Sequence, residues 1–353
     1  MAPACGWAAS VLLSPWVACC AGAADGGPAP LPAPAVAAAA PGLQRAAPGH
    51  LDSQDRLGDL LDHPALAGFS RLLLPRSDVE VDRATRLSDF ASLLPYHTHV
   101  EARDVVAGLN RLIDDATTGR PVFIDIYTPA EKARDPTKAD TGLFHLRGQP
   151  GSAFALIAPG GGFSYVATVH EGLPYALAIN RHGHHAFVLR YRVGQGGTAA
   201  TEDLAAALSA IFRHAAALQV RTDRYSLWGS SAGARMAAAI GSHGTVRFAA
   251  EALPRPAAVV MAYTGHAEVS HDEPPTFVVV GEHDPISPPA LMERRLAALE
   301  RAGVTVAYRK VPGLGHGFGL GTGTAAEGWI DEAVRFWQRA AGRGPGMSPR
   351  PPR

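Results

Sequence analysis

The sequence predicts an α/β fold, with a mostly parallel central sheet, helices on both faces and an N-terminal helical extension. Three observations carry that expectation. From residue 121 onward, short apolar runs alternate with longer segments of helical periodicity, the rhythm of chained βαβ units. One run, residues 153–158, is continuously apolar, as a strand buried on both faces must be, and opens directly into Gly160-Gly161-Gly162. Another, residues 225–228, passes through Gly229-Ser230-Ser231-Ala232-Gly233 into a segment rich in helix formers. A strand and a helix joined this closely need a tight turn, and glycines on either side of Ser231 let the two elements approach.

Ahead of the sheet the chain changes character twice. Residues 6–23 are apolar, interrupted by Pro15, and end in Ala21-Gly22-Ala23, the small-residue pattern of a cleavage site. Residues 1–23 therefore read as a signal peptide, which implies export; the alternative is a disordered leader on a cytoplasmic protein. The run is too short and broken for a membrane span. Residues 24–49 are mostly Ala, Pro and Gly, cannot pack a core and read as a linker. Residues 50–116 form the helical extension. Leu57, Leu60 and Leu61 mark a short helix stopped near Pro64, and a leucine run ends at Pro75. Val105, Val106, Leu109, Leu112 and Ile113 share one face of an amphipathic helix. The extension either packs on the core or roofs its site. His97 and His99 have ligand chemistry but no third partner nearby in sequence.

Residues 117–341 form the main α/β unit and 342–353 a flexible tail. Strands are expected at residues 121–128, 141–147, 153–158, 186–192, 225–228, 257–262, 276–280 and 305–311. Helices are expected at 173–181, 202–218, 232–240, 289–302 and 326–340. His182, His184 and His185 precede a strand and are assigned to a solvated loop away from the site. In the closing helix Trp329, Ala333, Phe336 and Trp337 recur at helical spacing, a core pattern.

Composition excludes several functions. The chain has 353 residues, 47% of them hydrophobic, and a formal net charge of +0, with no long basic run for nucleic acid to contact. Its cysteines, Cys5, Cys19 and Cys20, all precede the expected folded unit, which therefore has no disulfide and no thiolate metal site.

Open parallel sheets bind ligands beyond the carboxyl ends of their strands, and three chemically suited residues follow such ends in this order. Ser231 sits in the tight turn; Asp284 closes Gly281-Glu282-His283-Asp284 after a strand; His316 lies in the glycine-flanked loop Gly313-Leu314-Gly315-His316-Gly317. A serine hydroxyl needs a base, histidine serves near neutral pH, and a carboxylate fixes the histidine tautomer. Ser231 is thus the candidate nucleophile, His316 the base and Asp284 the acid. The N–H of Ala232, at a helix start, and those of Gly161 and Gly162 are candidate oxyanion donors. A side chain at Gly161 is expected to impair turnover more than folding. Glu268 and Glu282 compete with Asp284, Ser230 is expected to point elsewhere, and Arg190, Arg192, Arg235 and His170 can approach the site.

From about residue 121 to 337 these motifs resemble the α/β-hydrolase serine esterases, in particular the acetyl-esterase and acetylxylan-esterase-like branch. Matching residues are the strip Gly160-Gly161-Gly162-Phe163, the elbow Gly229 to Gly233, Gly281 to Asp284, and His316 with Gly317. Two positions depart from that pattern: Pro159 stands where many related esterases carry histidine, and Ala234 where a further glycine is frequent. The resemblance implies an α/β-hydrolase fold and ester hydrolysis through an acyl-enzyme, with no metal or organic cofactor. Residues 263–275 are too few for a large helical lid, which favours short acyl, especially acetyl, esters of a small or carbohydrate alcohol. The expected partner is that substrate, with no nucleic acid and no stable membrane insertion once the leader is removed. A prolyl-oligopeptidase-like peptidase shares the arrangement, although no propeller-length repeats are present. A catalytically inactive binding protein of the same fold is the reading from another class.

Overall fold

Strands and helices alternate along residues 49–342, the part of the chain described by the computed structural model. The signal-peptide reading of residues 1–23, most of the linker, and the tail from residue 343 lie outside the described residues. After α1 (Leu57–Asp62) and α2 (Ala102–Thr117) come β1 (Phe123–Asp125), α3 (Pro129–Arg134), β2 (Gly142–Leu146), β3 (Ser152–Ala158), α4 (Leu173–Arg181) and β4 (His185–Arg190). Then follow α5 (Gly196–Arg213), α6 (Ala215–Leu218), β5 (Val220–Ser230), α7 (Ala232–His243) and β6 (Ala258–Ala262). The chain continues through β7 (Thr276–Gly281), α8 (Pro289–Arg301), β8 (Val306–Val311) and α9 (Trp329–Gly342).

Among the described residues these strands form one 8-stranded sheet in the order β1, β2, β4, β3, β5, β6, β7, β8. The β1–β2 and β2–β4 pairs are antiparallel, and every other pair is parallel. Alternate side chains of the central strands feed two separate cores. Ile157, Trp228, Val260 and Val279 join one with α2, α4 and α9, while Leu156, Leu227, Val259 and Val278 join the other with α5, α7 and α8. Burial on both faces is why these strands read as continuous apolar runs instead of alternating ones.

The extension belongs to the first of those cores. Leu57, Leu60, Leu87, Phe90, Leu109 and Leu112 are buried in the cluster that also holds Trp228. Between α1 and α2 the chain makes 3₁₀ turns at Pro64–Leu66, Ser70–Leu73 and Leu87–Leu93. Arg190, fully buried in β4, donates to the carbonyls of Leu74 and Pro75 and to Ser77 Oγ, tying the extension to the sheet. Burial pulls its pKa down to about 10.

Three expectations are corrected. Helix α5 starts at Gly196 rather than at residue 202, because a first helical turn has unpaired N–H groups in any case and tolerates glycine there. Strand β1 is only Phe123–Asp125; Tyr127 leaves the sheet edge and donates its hydroxyl to Asp203, itself paired with Arg192. The histidines at 182–185 are not a solvated loop. His185 is buried at the start of β4 against His145, with Nδ1 3.1 Å from His145 Nε2; His184 packs on Trp337, and His182 pairs with Asp331. The loop is covered because β2 and α9 both pack across it.

Candidate active site

Strand β5 ends at Ser230 and α7 begins at Ala232, leaving Ser231 alone in the turn at φ 49 and ψ −115. A non-glycine residue there is strained by roughly 1–3 kcal/mol, and the surroundings hold it in place. Its N–H donates to Ala262 O of β6 at 2.8 Å, and α7 lies so close to β3 that a Cβ at Gly233 would sit 1.9 Å from Ala158 O. Only glycine fits. The turn thereby pushes the Ser231 hydroxyl out beyond the carboxyl end of the sheet.

The loops after β7 and β8 converge on the same point. His316 Nε2 lies 2.9 Å from Ser231 Oγ, and His316 Nδ1 lies 2.7 Å from Asp284 Oδ2. Asp284 and His316 are buried, and Asp284 Oδ1 accepts the N–H groups of Ile286 (2.9 Å) and Ser287 (2.7 Å). Every Asp284 lone pair that matters is therefore directed by the fold. The competing acids are engaged elsewhere, Glu282 with Gly313 N–H and Glu268 facing His243. Ser230 turns inward and donates to Tyr175 OH. Arg190 and Arg192 are spent on the extension and on Asp203, and His170 contacts Gly317 O.

Opposite Ser231 runs the glycine strip. A Cβ at Gly160 would be 3.1 Å from Ser231 Cβ, which measures how close the strip comes. Gly161 has φ +132, and a Cβ there would lie 2.1 Å from Tyr165 O. A side chain at Gly161 therefore collides with backbone, so the expectation of damage to turnover more than to folding does not hold. The strip, which opens on Pro159, is braced from several sides. Tyr191 OH donates to Pro159 O at 2.9 Å, Ala167 N–H donates to Gly160 O at 3.0 Å, and Gly160 N–H donates to Glu171 Oε2. Ala232 N–H, at the first position of α7, has no helical carbonyl behind it to pair with.

The residues that sequence reasoning missed come mostly from the extension. Thr98 N–H donates to Gly317 O at 3.0 Å and Thr98 Oγ1 to His316 O at 2.8 Å, so the segment after Pro95 clasps the histidine loop. Tyr96, 44% exposed, stacks on Tyr165 with ring centroids 5.7 Å apart and edges toward Gly162. His97 lies between Tyr165 OH and Glu171 Oε1, each at 2.9 Å. Tyr263, just after β6, packs its ring edge-on to His316 at 5.1 Å. Its positive φ of 36 is the one local sign of a special position, and it is a backbone property that no sequence pattern shows.

Among the described residues, no group of three or more His, Cys, Asp or Glu side chains is placed to hold a metal ion, and no helix is long and apolar enough to cross a membrane. A cavity of about 610 Å³ lined by Phe69, Arg71, Phe123, Lys132 and Asp140 shares no residue with the Ser231 site.

Comparison with known proteins agrees with this architecture. The prolyl oligopeptidase family matches residues 259–344, the stretch from β6 into the residues just past α9, which contains Asp284 and His316 but not Ser231. No curated protein sequence matches significantly. Similar solved structures include MGS-M1, an α/β-hydrolase enzyme from a Medee basin deep-sea metagenome library, at 25% identity and TM-score 0.51 over 57% of this chain and 93% of that one. An acetyl ester-xyloside bifunctional hydrolase from Caldicellulosiruptor lactoaceticus aligns at 22% identity and TM-score 0.53, over 62% of this chain and 95% of the other. A thermophilic esterase from Thermogutta terrifontis aligns at 18% identity and TM-score 0.51, over 60% and 92%. Its sheet order, its serine turn and these neighbours together give the chain an α/β-hydrolase fold.

Proposed function

We propose that the protein is a serine carboxylesterase that hydrolyses short-chain, especially acetyl, esters of a small or carbohydrate alcohol through an acyl-enzyme. The observation that carries this reading is the line from Asp284 through His316 to Ser231, with spacings of 2.7 and 2.9 Å, facing a glycine strip. The acetyl ester-xyloside hydrolase and the thermophilic esterase among the structural neighbours support it.

In this reading His316 Nδ1–H donates a hydrogen bond to Asp284, which fixes the tautomer and leaves Nε2 with a lone pair aimed at the serine hydroxyl. His316 takes that proton as Ser231 Oγ attacks the ester carbonyl. The carbonyl oxygen becomes an anion and is met by Ala232 N–H and an N–H of Gly161 or Gly162, donors already oriented before reaction. His316 then protonates the departing alcohol, and a water activated by the same nitrogen releases the acid. Backbone donors fixed in this way are each worth about 2.7–4 kcal/mol of barrier.

A second reading has its own observation. The prolyl oligopeptidase match over residues 259–344 favours peptide-bond hydrolysis by the same three residues. Hydrolysis of p-nitrophenyl esters from acetate to decanoate, by the wild-type chain and Ser231→Ala, separates the two. Short-chain activity lost in the variant supports the esterase; inactivity on esters with cleavage of prolyl peptides supports the peptidase. A chain inert to both and to a fluorophosphonate is a binding protein.

A further inference from the structure

Glu171 is a fully buried carboxylate that no step above uses. It lies in the π-helical turn Thr168–Gly172 ahead of α4, and its two oxygens face three partners. Oε2 accepts Gly160 N–H; Oε1 accepts Tyr263 O–H at 2.6 Å and lies 2.9 Å from His97 Nε2. A Cβ built on Gly160 would be 2.9 Å from Glu171 Oε2 and 3.1 Å from Ser231 Cβ, so the carboxylate and the serine both crowd the same point beside Gly160. Burial alone would neutralise it, yet the facing His97 and hydrogen bonds from His97 and Tyr263 carry its pKa down to about 2.

We infer that His97 and Glu171 form a positioning pair for the reaction, in which Glu171 holds the oxyanion strip through Gly160 and the His316 ring through Tyr263, while His97 locks Glu171 in the conformation that does both. The inference rests on the esterase reading. A single carboxylate accepts at both ends, so the strip and Tyr263 are registered against each other by one rigid group. Its charge lies close to where the oxyanion forms and would oppose that anion without donors to absorb it. His97 supplies such a donor from the extension, and its Nδ1 is anchored 2.9 Å from Tyr165 OH.

The test is steady-state hydrolysis of p-nitrophenyl acetate by the full-length chain, with kcat expressed per site titrated by a fluorophosphonate. In Glu171→Gln one amide end must present N–H2 where an oxygen now accepts, which displaces the strip or Tyr263. A misplacement of that kind is expected to lower kcat per site about 10- to 100-fold with little change in KM. His97→Ala is expected to lower kcat in the same way, and His97→Gln, whose amide can still donate toward Glu171, to recover part of it. A merely structural pair would instead reduce the titratable fraction while kcat per site stayed at the wild-type value, and that result overturns the inference. Should both Glu171→Gln and His97→Ala fail to fold, Tyr263→Phe removes one donor but keeps the ring on His316. Wild-type kcat per site in Tyr263→Phe then overturns the proposal, and a fall supports it. A wild-type chain that neither reacts with the fluorophosphonate nor cleaves the ester overturns the esterase reading itself, whereas an active wild type with unaffected variants overturns only the pair.

Discussion

Asp284→Asn is the substitution whose consequence the geometry specifies most closely. Asn has the same shape, and one of its amide atoms must occupy each carboxylate oxygen position. Oδ1 of Asp284 accepts two backbone N–H groups, from Ile286 at 2.9 Å and Ser287 at 2.7 Å, whereas Oδ2 faces only His316 Nδ1. Placing the amide nitrogen at Oδ1 would set it against two backbone N–H donors, at roughly 1–3 kcal/mol for each one left unsatisfied away from water. The amide therefore points its NH2 at His316 Nδ1. That nitrogen must then accept, so the proton moves to Nε2, the atom 2.9 Å from Ser231 Oγ. The base becomes a donor facing the hydroxyl it should deprotonate. Loss of the correct tautomer in such an arrangement costs about 10⁴-fold in kcat, equivalent to roughly 5 kcal/mol of barrier. Folding loses less, on the order of 1–2 kcal/mol, because both backbone bonds survive with a neutral acceptor. The assay is kcat for p-nitrophenyl acetate at pH 7, with a thermal melt on the same sample. Retention of kcat within tenfold of wild type, or an equal loss in Glu282→Gln, would refute the assignment of the acid.

Further outcomes follow from other contacts. Ser231→Ala removes the only nucleophile proposed and is expected to abolish fluorophosphonate labelling while lowering kcat by about 10⁶-fold, measured by single-turnover hydrolysis. Thr98→Val keeps the shape but takes away the hydroxyl that donates to His316 O; a melt should show about 1 kcal/mol of lost stability, and kcat should fall with it because the histidine loop is less tightly held. Acid should weaken the fold through its buried neutral histidines. Burial lowers the pKa of His170 to about 4, with His97 adding to the effect, and burial takes that of His145 well below its ordinary value. The unfolded chain binds protons near pH 6.5 that the folded chain refuses, so this stability is complete above about 6.5 and declines as pH falls toward 4. For His170 the loss reaches about 3 kcal/mol by pH 4. Denaturant melts of wild type and His170→Gln between pH 7 and 4 should show a shallower decline in the variant; parallel curves would contradict the assignment.

Local chemistry made much of this protein legible from the chain alone. Strands such as Thr276–Gly281 hold an unbroken apolar run, Phe277 to Val280, because they are covered on both faces, and that property is written residue by residue. The serine turn is legible for a similar reason: Gly229 and Gly233 are there because strand and helix nearly touch, and a glycine is a visible mark of such an approach. Ser231, Asp284 and His316 could be paired in advance because each follows a recognisable strand, and the ends of parallel strands meet at one edge.

The support around those residues was decided by tertiary structure. Thr98 clasps a loop 218 residues away, and His97 meets Glu171 across 74. Neither contact leaves a periodicity or a spacing, since a histidine in an irregular segment looks the same whether it faces water or a buried carboxylate. The lone histidines at 182–185 were misplaced for that reason, being covered by elements from elsewhere in the chain. Sequence patterns report what a residue's own neighbours require; which distant segment is packed against it is settled by how the whole chain closes its cores.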